Sequence, residues 1–205
     1  MRPITTMFWD LGGVVLTNAW DREQRIKVLN SHGITEKQHL DEFGDRHREV
    51  AAGFETGHYS LDEYLDMTLF DMHHVAREPF KESMFGQSEL LPGMDVLTEV
   101  AQAGRCFMAT LNNESLPLNE YRIARFKLKQ YFQVFCSSCY LGVTKPTKEI
   151  YETALRITHS KPEECVFIDD REQNAEAAKR LGIHAIHYKN PDQLRKELRF
   201  LKIID

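Results

Sequence analysis

Apolar residues recur along this chain in two rhythms. Short unbroken runs at residues 4–9, 106–111, 134–137 and 165–168 read as buried strands, and a fifth at 184–188 follows the last of them after a helix. Runs of this kind separated by helical stretches predict an α/β protein, a parallel Rossmann-like sheet with helices on both faces. Helical spacing is plainest at residues 93–103, which open after Pro92-Gly93, close at Gly104 and place Met94, Leu97, Val100 and Ala101 on one side. Residues 147–158 follow Pro146 and align Ile150, Tyr151, Ala154, Leu155 and Thr158, while 172–181 stop at Gly182 and 191–202 open on Pro191-Asp192.

Between the first strand and residue 93 the pattern changes. Residues 20–86 carry no run of the strand type and read as helical throughout, with breaks at Gly33 and between Gly53 and Ser60. Ser60, shortly before Asp62-Glu63, predicts a helix N-cap. The expectation is a helical insertion placed after the first strand.

Composition narrows the picture. A chain of 205 residues, 42% hydrophobic and 28% charged, can bury one core and carry a modest insertion. The net charge of -5, from 31 acidic and 26 basic side chains, gives no bulk attraction to nucleic acid or to an anionic membrane. No apolar run approaches the roughly 18 residues of a membrane span. An acidic residue stands too early for a signal-peptide core, so a soluble, cytoplasmic protein is expected. Cys136 and Cys139 have the spacing of a redox pair or half a zinc site, but no second pair completes one. With Cys106 and Cys165 they are expected to be buried structural thiols.

The candidate chemistry lies at strand ends, where ligands bind in an open α/β sheet. Asp10 closes the first run and precedes Gly12-Gly13, and Asn112-Asn113 close the second. Lys145 lies in GVTKP after the third, and Asp169-Asp170 close the fourth, with Asn174 four residues on. Taken in order, the segments FWDLGGVV, MATLNN, LGVTKPTKEIYETAL and CVFIDDREQNAEAAKRLGIHAIHY resemble the four motifs of the haloacid dehalogenase-like (HAD) hydrolase superfamily. The resemblance runs from about residue 4 to residue 190. It implies a core of residues 1–17 and 88–205, with the helical insertion, 18–87, in the place of that family's cap.

The roles implied are chemically coherent. Asp10 would be the nucleophile, forming an aspartyl-phosphate that splits one hard displacement into two. Two adjacent carboxylates at a buried strand end call for a cation or a basic partner such as Arg171, and Mg²⁺ is the expected occupant. Asp10, the Gly12 carbonyl, Asp169 and Asp170 would hold it, with Asp170 the more direct of the last two. Lys145 would supply a point charge to Asp10 and to the transferring phosphoryl group. Asn112, where the family usually has Ser or Thr, would donate to a phosphate oxygen, with Gly12 and Gly13 also facing the substrate. Asn113 would tie loops together, Asn174 would hold the metal loop, and Trp9 would turn into packing.

Gly12 is the informative departure. Typical phosphatases of the superfamily carry Asp there as general acid and base, a function worth about 10² to 10⁴ in rate. Three readings follow. The favoured one is a phosphatase for a small phosphorylated metabolite whose leaving group departs easily, or one that borrows a cap residue or water. The second is a metal-independent 2-haloacid dehalogenase, which does not explain the paired Asp169-Asp170. The third is a weak or inactive relative that binds a phosphometabolite or a protein. Substrate choice would come from the insertion, where Arg48, Phe54, His58 and Tyr59 are candidates to face the site and equally suited to an ordinary helical hairpin.

Overall fold

In the computed structural model, which describes residues 2–205, five strands form one parallel sheet in the order β3-β2-β1-β4-β5. They are β1 (Thr6–Trp9), β2 (Phe107–Asn112), β3 (Val134–Ser137), β4 (Cys165–Asp169) and β5 (His184–His187). In register, Trp9 of β1 faces Thr110 of β2 on one side and Ile168 of β4 on the other. The sequence expectation of five strands therefore holds, with ends shifted by a residue or two.

Period-2 alternation splits the core into two layers. Met7, Trp9, Met108, Val166 and Ile168 face α5 (Gly93–Ala103), α6 (Leu116–Arg125) and α10 (Pro191–Phe200). Phe8, Ala109, Leu111 and Phe167 face α8 (Lys148–Thr158) and α9 (Glu172–Arg180). Trp9 is fully buried in the first layer, as its position one residue before the strand end requires. Helix α6 supplies the crossover that a parallel β2–β3 pair demands, and the short α7 (Ser138–Leu141) follows β3 directly.

Helices α1 (Arg22–Ser31), α2 (Lys37–Glu55), α3 (Leu61–Leu65) and α4 (Arg77–Phe85) fill the stretch between β1 and α5. They enclose a core of their own, with Trp20, Phe43, Phe54, Tyr64, Leu69 and Phe80 at its centre. Ser60 forms the expected capping box with Glu63. The break expected between Gly53 and Ser60 is present, α2 running on to Glu55 and α3 beginning at Leu61. A Cβ at Gly53 would lie 2.4 Å from the Tyr59 ring, so this glycine makes room for a side chain and does not end the helix.

This cap is seated on α6. Leu118 joins the cap's own core, and Phe85 stacks on Tyr121 with ring centroids 5.0 Å apart. The chain leaves and re-enters the core through two paired linkers: Thr17 N–H donates to Glu89 O (2.9 Å), and Leu91 N–H donates to Val15 O (2.9 Å). Arg122 of α6, almost fully buried, donates to Thr17 O (2.7 Å) and to Ser88 Oγ (3.2 Å), clamping both linkers.

Helix α5 begins against the loop behind β1. A Cβ at Gly93 would lie 2.1 Å from Val14 O, a contact with backbone that no side-chain adjustment relieves. Gly93→Ala is expected to cost about 1–3 kcal/mol of stability through forced separation of α5 from that loop. Urea melts of the two proteins at matched m-value would measure it, and an unchanged midpoint would refute the close approach.

Candidate active site

The site is built at the carboxyl ends of β1, β4 and β2. Strands β1 and β4 are neighbours, so their terminal carboxylates, Asp10 and Asp169, emerge side by side. Lys145, in the loop after α7, reaches between them: Nζ lies 3.0 Å from Asp10 Oδ1 and 2.6 Å from Asp169 Oδ2. Asn113 holds this lysine by its backbone, accepting from Lys145 N–H (2.8 Å) and donating to Lys145 O (2.9 Å). The loop-tying role expected for Asn113 is what the geometry displays.

Asp169 is fully buried and saturated. Besides Lys145 it accepts from Arg171 N–H (2.8 Å) and from Asn174 Nδ2 (3.0 Å to Oδ1). Asn174 thus braces the acidic loop, as anticipated. Asp10 accepts from Leu11 N–H (2.8 Å) and Lys145 on Oδ1, while its Oδ2 has no hydrogen bond to the described residues. Asp170 keeps a buried Oδ1 with no partner. One oxygen from each of Asp10, Asp169 and Asp170 lies within 4.8 Å of the others. An unpartnered buried carboxylate oxygen beside two more carboxylates is the donor set a hard divalent cation takes. The residues present fit Mg²⁺.

Electrostatics point the same way. Burial, opposed by Lys145 and reinforced by Asp169 and Asp170, pushes the Asp10 carboxyl up to about 7. Burial and then Asp169 raise Asp170 as well, against Arg171. Burial alone would depress Lys145, but Asp10 and Asp169 outweigh it and its pKa is raised, so the ammonium form persists. Three carboxylates around one ammonium leave an excess of negative charge that a dication would neutralise.

Two expectations require correction. Asn112 is buried, but its amide donates to Asn119 Oδ1 (3.2 Å) and accepts from Ser137 Oγ (2.9 Å). It does not line the cavity; Asn113 does. Because β2 runs one residue further than expected, the pleat turns Asn112 toward β3 and α6. Gly13 is no substrate donor either, since its N–H is used by Leu16 O (2.8 Å). Its contribution is space: at φ +71 a Cβ would fall 2.2 Å from Asp170 Oδ2.

Above Asp10 a cavity of about 330 Å³ opens between core and cap. Its wall includes Gly12, Asn18, Trp20, Asp21 and Phe54, with Arg22, Arg25, Arg122, Lys145 and Arg171 as cations. Of the cap candidates only Phe54 reaches the wall, stacked on Tyr64 at 4.1 Å; Arg48, His58 and Tyr59 do not line the cavity. The wall residues that sequence patterning missed include Asn18, Asp21, Arg25, Glu55, Glu114 and Arg122. Glu114 pairs with Arg122 (2.8 Å) and accepts from Ser115 N–H (3.0 Å). His47, pressed down to about 4 by burial and by Arg25 and Arg48, is neutral at pH 7 and bonds Tyr64 Oη through Nδ1 (2.9 Å).

With this geometry in place, comparison with known proteins is decisive for the family. A model described as haloacid dehalogenase-like hydrolase matches residues 4–182. The chain belongs to the haloacid dehalogenase-like hydrolases. Among curated relatives of this HAD protein, flavin mononucleotide hydrolase 1 of Arabidopsis thaliana is 28% identical over 77% of the chain. D-ribitol-5-phosphate phosphatase of Bacteroides thetaiotaomicron is 23% identical over 95% of the chain and 97% of its own length. The chain spans 64% of the flavin mononucleotide hydrolase and 7% of another relative, mouse acyl-CoA dehydrogenase family member 10. In structure, a HAD family enzyme from Bacteroides thetaiotaomicron, crystallised with magnesium and inorganic phosphate, superposes with a TM-score of 0.75 at 23% identity. That match covers 91% of this chain and 94% of the other. A predicted HAD-like family hydrolase from Porphyromonas gingivalis superposes with a TM-score of 0.76 at 22% identity, covering 98% and 99%. Among the described residues no helix is long and apolar enough to cross a membrane.

The raised Asp10 pKa has a thermodynamic sign. The protein holds a proton on Asp10 up to about 7, whereas an unfolded chain releases it near 3.8. The corresponding stability is complete below the unfolded value and is lost as pH rises through the folded one. In chelator, Asp10→Asn is therefore expected to overtake the wild type in Tm as pH rises from about 3.8 to about 7 and to stay ahead above it. Thermal melts across that window would test this; parallel curves would mean that Asp10 is not a buried excess charge.

Proposed function

We propose that this HAD hydrolase is a Mg²⁺-dependent phosphatase acting on a small phosphorylated metabolite through an aspartyl-phosphate on Asp10. One observation carries the reading. Asp10, whose Oδ2 is free, lines a cavity whose walls are rich in cationic side chains. Beside it Asp170 keeps an unpartnered buried Oδ1, one oxygen from each of Asp10, Asp169 and Asp170 lying within 4.8 Å of the others. Such a site suits a dication and a phosphate dianion together, and a carbon–halogen bond needs neither. The cavity's size suits a small ligand.

Each residue then has a task. Asp10 attacks phosphorus through Oδ2, while Lys145 holds Oδ1 and fixes the direction of attack. Asp10, Asp170 and the Gly12 carbonyl would hold the metal directly, and Asp169, already committed to Lys145 and Asn174, would take part through water. Bound there, Mg²⁺ supplies charge neutralisation to the phosphoryl oxygens. Arg171 and Lys145 add cationic charge at the floor, and Arg22 and Arg25 approach from the cap. The cap excludes water from the first step. The names of the two relatives, a flavin mononucleotide hydrolase and a D-ribitol-5-phosphate phosphatase, are in keeping with this chemistry. The substrates in those names belong to those proteins.

Two measurements test the reading. In Mg²⁺, a panel of phosphate monoesters should be hydrolysed, with turnover abolished by EDTA and by Asp10→Asn. A 2-haloacid released as the hydroxy acid in EDTA would instead establish the dehalogenase. Separately, millimolar Mg²⁺ should raise the Tm of the wild type, since a ligand that binds only the folded state stabilises it. Asp170→Asn should remove most of that increase, and an equal increase in both proteins would rule out Asp170 as a ligand.

A further inference from the structure

Gly12 leaves the core without the usual proton donor, and the end of the Asn18 side chain stands where one would grow. An ideal Cβ at residue 12 would lie 2.4 Å from Asn18 Oδ1, so an amide from the cap linker occupies the volume into which an acidic side chain would grow. An amide has no proton to give at neutral pH. The proton for an ordinary alcohol leaving group must come from elsewhere on the cavity wall.

The titratable groups on that wall sort themselves by their partners. Glu114 has one oxygen on Arg122 and the other on the Ser115 amide, so that, although burial raises its pKa too, neither oxygen is free to face a leaving group. His47 is neutral above about pH 4 and holds no acidic proton. Asp21 immediately precedes α1, keeps a buried Oδ1 with no hydrogen-bond partner among the described residues, and is followed within one turn by Arg22 and Arg25. Glu55 lines the cavity too. It differs from Glu114 and His47 in that its carboxyl makes no hydrogen bond or ion pair with the described residues, and from Asp21 in that no Lys or Arg stands within four residues of it. Burial and then Glu114 raise its pKa, against Arg171, Lys145 and Arg25, so it keeps a proton to higher pH than an ordinary glutamate.

Its position is fixed from the core side. Glu55 is the last residue of α2, and its carbonyl accepts from Ser138 Oγ (2.7 Å), the hydroxyl that also accepts from Glu114 N–H (2.9 Å). Two residues on, Gly57 at φ +77 brings its backbone so near the core that a Cβ would lie 2.8 Å from Cys139 O. The end of α2 is therefore docked on the rim of the site.

We propose that Glu55, carried by the cap, is the general acid and base that residue 12 does not supply. The inference rests on the phosphatase reading above. As Asp10 Oδ2 bonds to phosphorus and the ester P–O bond breaks, the electron pair stays on the leaving oxygen, which takes the Glu55 proton and departs as an alcohol. Glu55, now a carboxylate, accepts a proton from the water that attacks the aspartyl-phosphate. The P–O bond to Asp10 breaks, and free carboxylate and inorganic phosphate result.

Leaving-group dependence separates this role from a structural one. In Mg²⁺, Glu55→Gln should lower kcat for an alkyl phosphate by about 10² to 10⁴, the range for loss of a general acid. The first-turnover burst of p-nitrophenolate from p-nitrophenyl phosphate, whose leaving group needs no proton, should keep its wild-type rate and be followed by a slow steady state. Glu55→Asp should recover part of the alkyl activity. An equal fall in both first steps would mean that Glu55 only positions, and no fall in either would overturn the inference outright. The same leaving-group signature in Asp21→Asn and not in Glu55→Gln, or a wild type that hydrolyses only acyl and nitrophenyl phosphates, would also overturn it. Failure of the phosphatase reading itself is distinct: Asp10→Asn would then turn over like the wild type.

Discussion

An ammonium buried between two carboxylates is the constraint around which this site is arranged. Lys145, with a side chain 2% exposed, lies within 3.0 Å of Asp10 and 2.6 Å of Asp169. Removing the ammonium from such a group would leave buried carboxylates without a counter-charge, at a cost of several kcal/mol. The strand order follows usefully from this. Adjacent β1 and β4 present the two carboxylates together, and β2 and β3 bring Asn113 and the Lys145 loop over the same rim. The arrangement is still short of positive charge once Asp170 is counted. That deficit makes the rim receptive to a dication and, above it, to a phosphate.

The cap and core meet through a second buried charge. Arg122 touches Glu114 on the cavity wall with one nitrogen and Thr17 of the cap linker with another. A guanidinium can do this because its donors form a rigid fork. The same side chain thus senses the cavity and holds the place where the cap is attached. Next to it, Ala19 is buried at φ +35, a conformation that L-residues adopt at some cost. The linker is therefore held against its own backbone preference by the packing of Trp20 and the clamp on Thr17.

What was legible in the sequence and what was not divide along one physical line. Asp10, Lys145 and Asp169-Asp170 stand out because a charged residue directly after a buried apolar run, or a lysine locked before a proline, is locally unusual. The choice between Asn112 and Asn113 is not of that kind. It turns on whether β2 ends before or after residue 112, since one step along a strand reverses the face a side chain takes. Glu114 and Arg122 were missed because α6 was missed, although Ser115 and Pro117 offered a start signal for it. Even with the helix in hand, the pairing of Arg122 with Thr17 joins segments 105 residues apart, which no local pattern encodes. Gly53 shows why the break expected between Gly53 and Ser60 begins only after Glu55. A helix-breaking signal worth about 1 kcal/mol was outweighed by the packing of the Tyr59 ring into the space it leaves.

With the acid on the cap, the linkage between closure and chemistry becomes stricter. An acid two residues after the nucleophile is present whether the cap is shut or open, and an open site could then lose phosphoryl groups to bulk water. Glu55 stands at the cavity with the end of α2 resting on Ser138 and Gly57 against Cys139. The side chain that protonates the leaving group would then share a helix end with Phe54, which forms part of the wall the substrate meets. Selection of the substrate and assembly of the catalytic set would then depend on one contact between cap and core. A substrate too large to let that contact form would be bound by the metal rim and still not be cleaved, a discrimination in kcat and not in affinity.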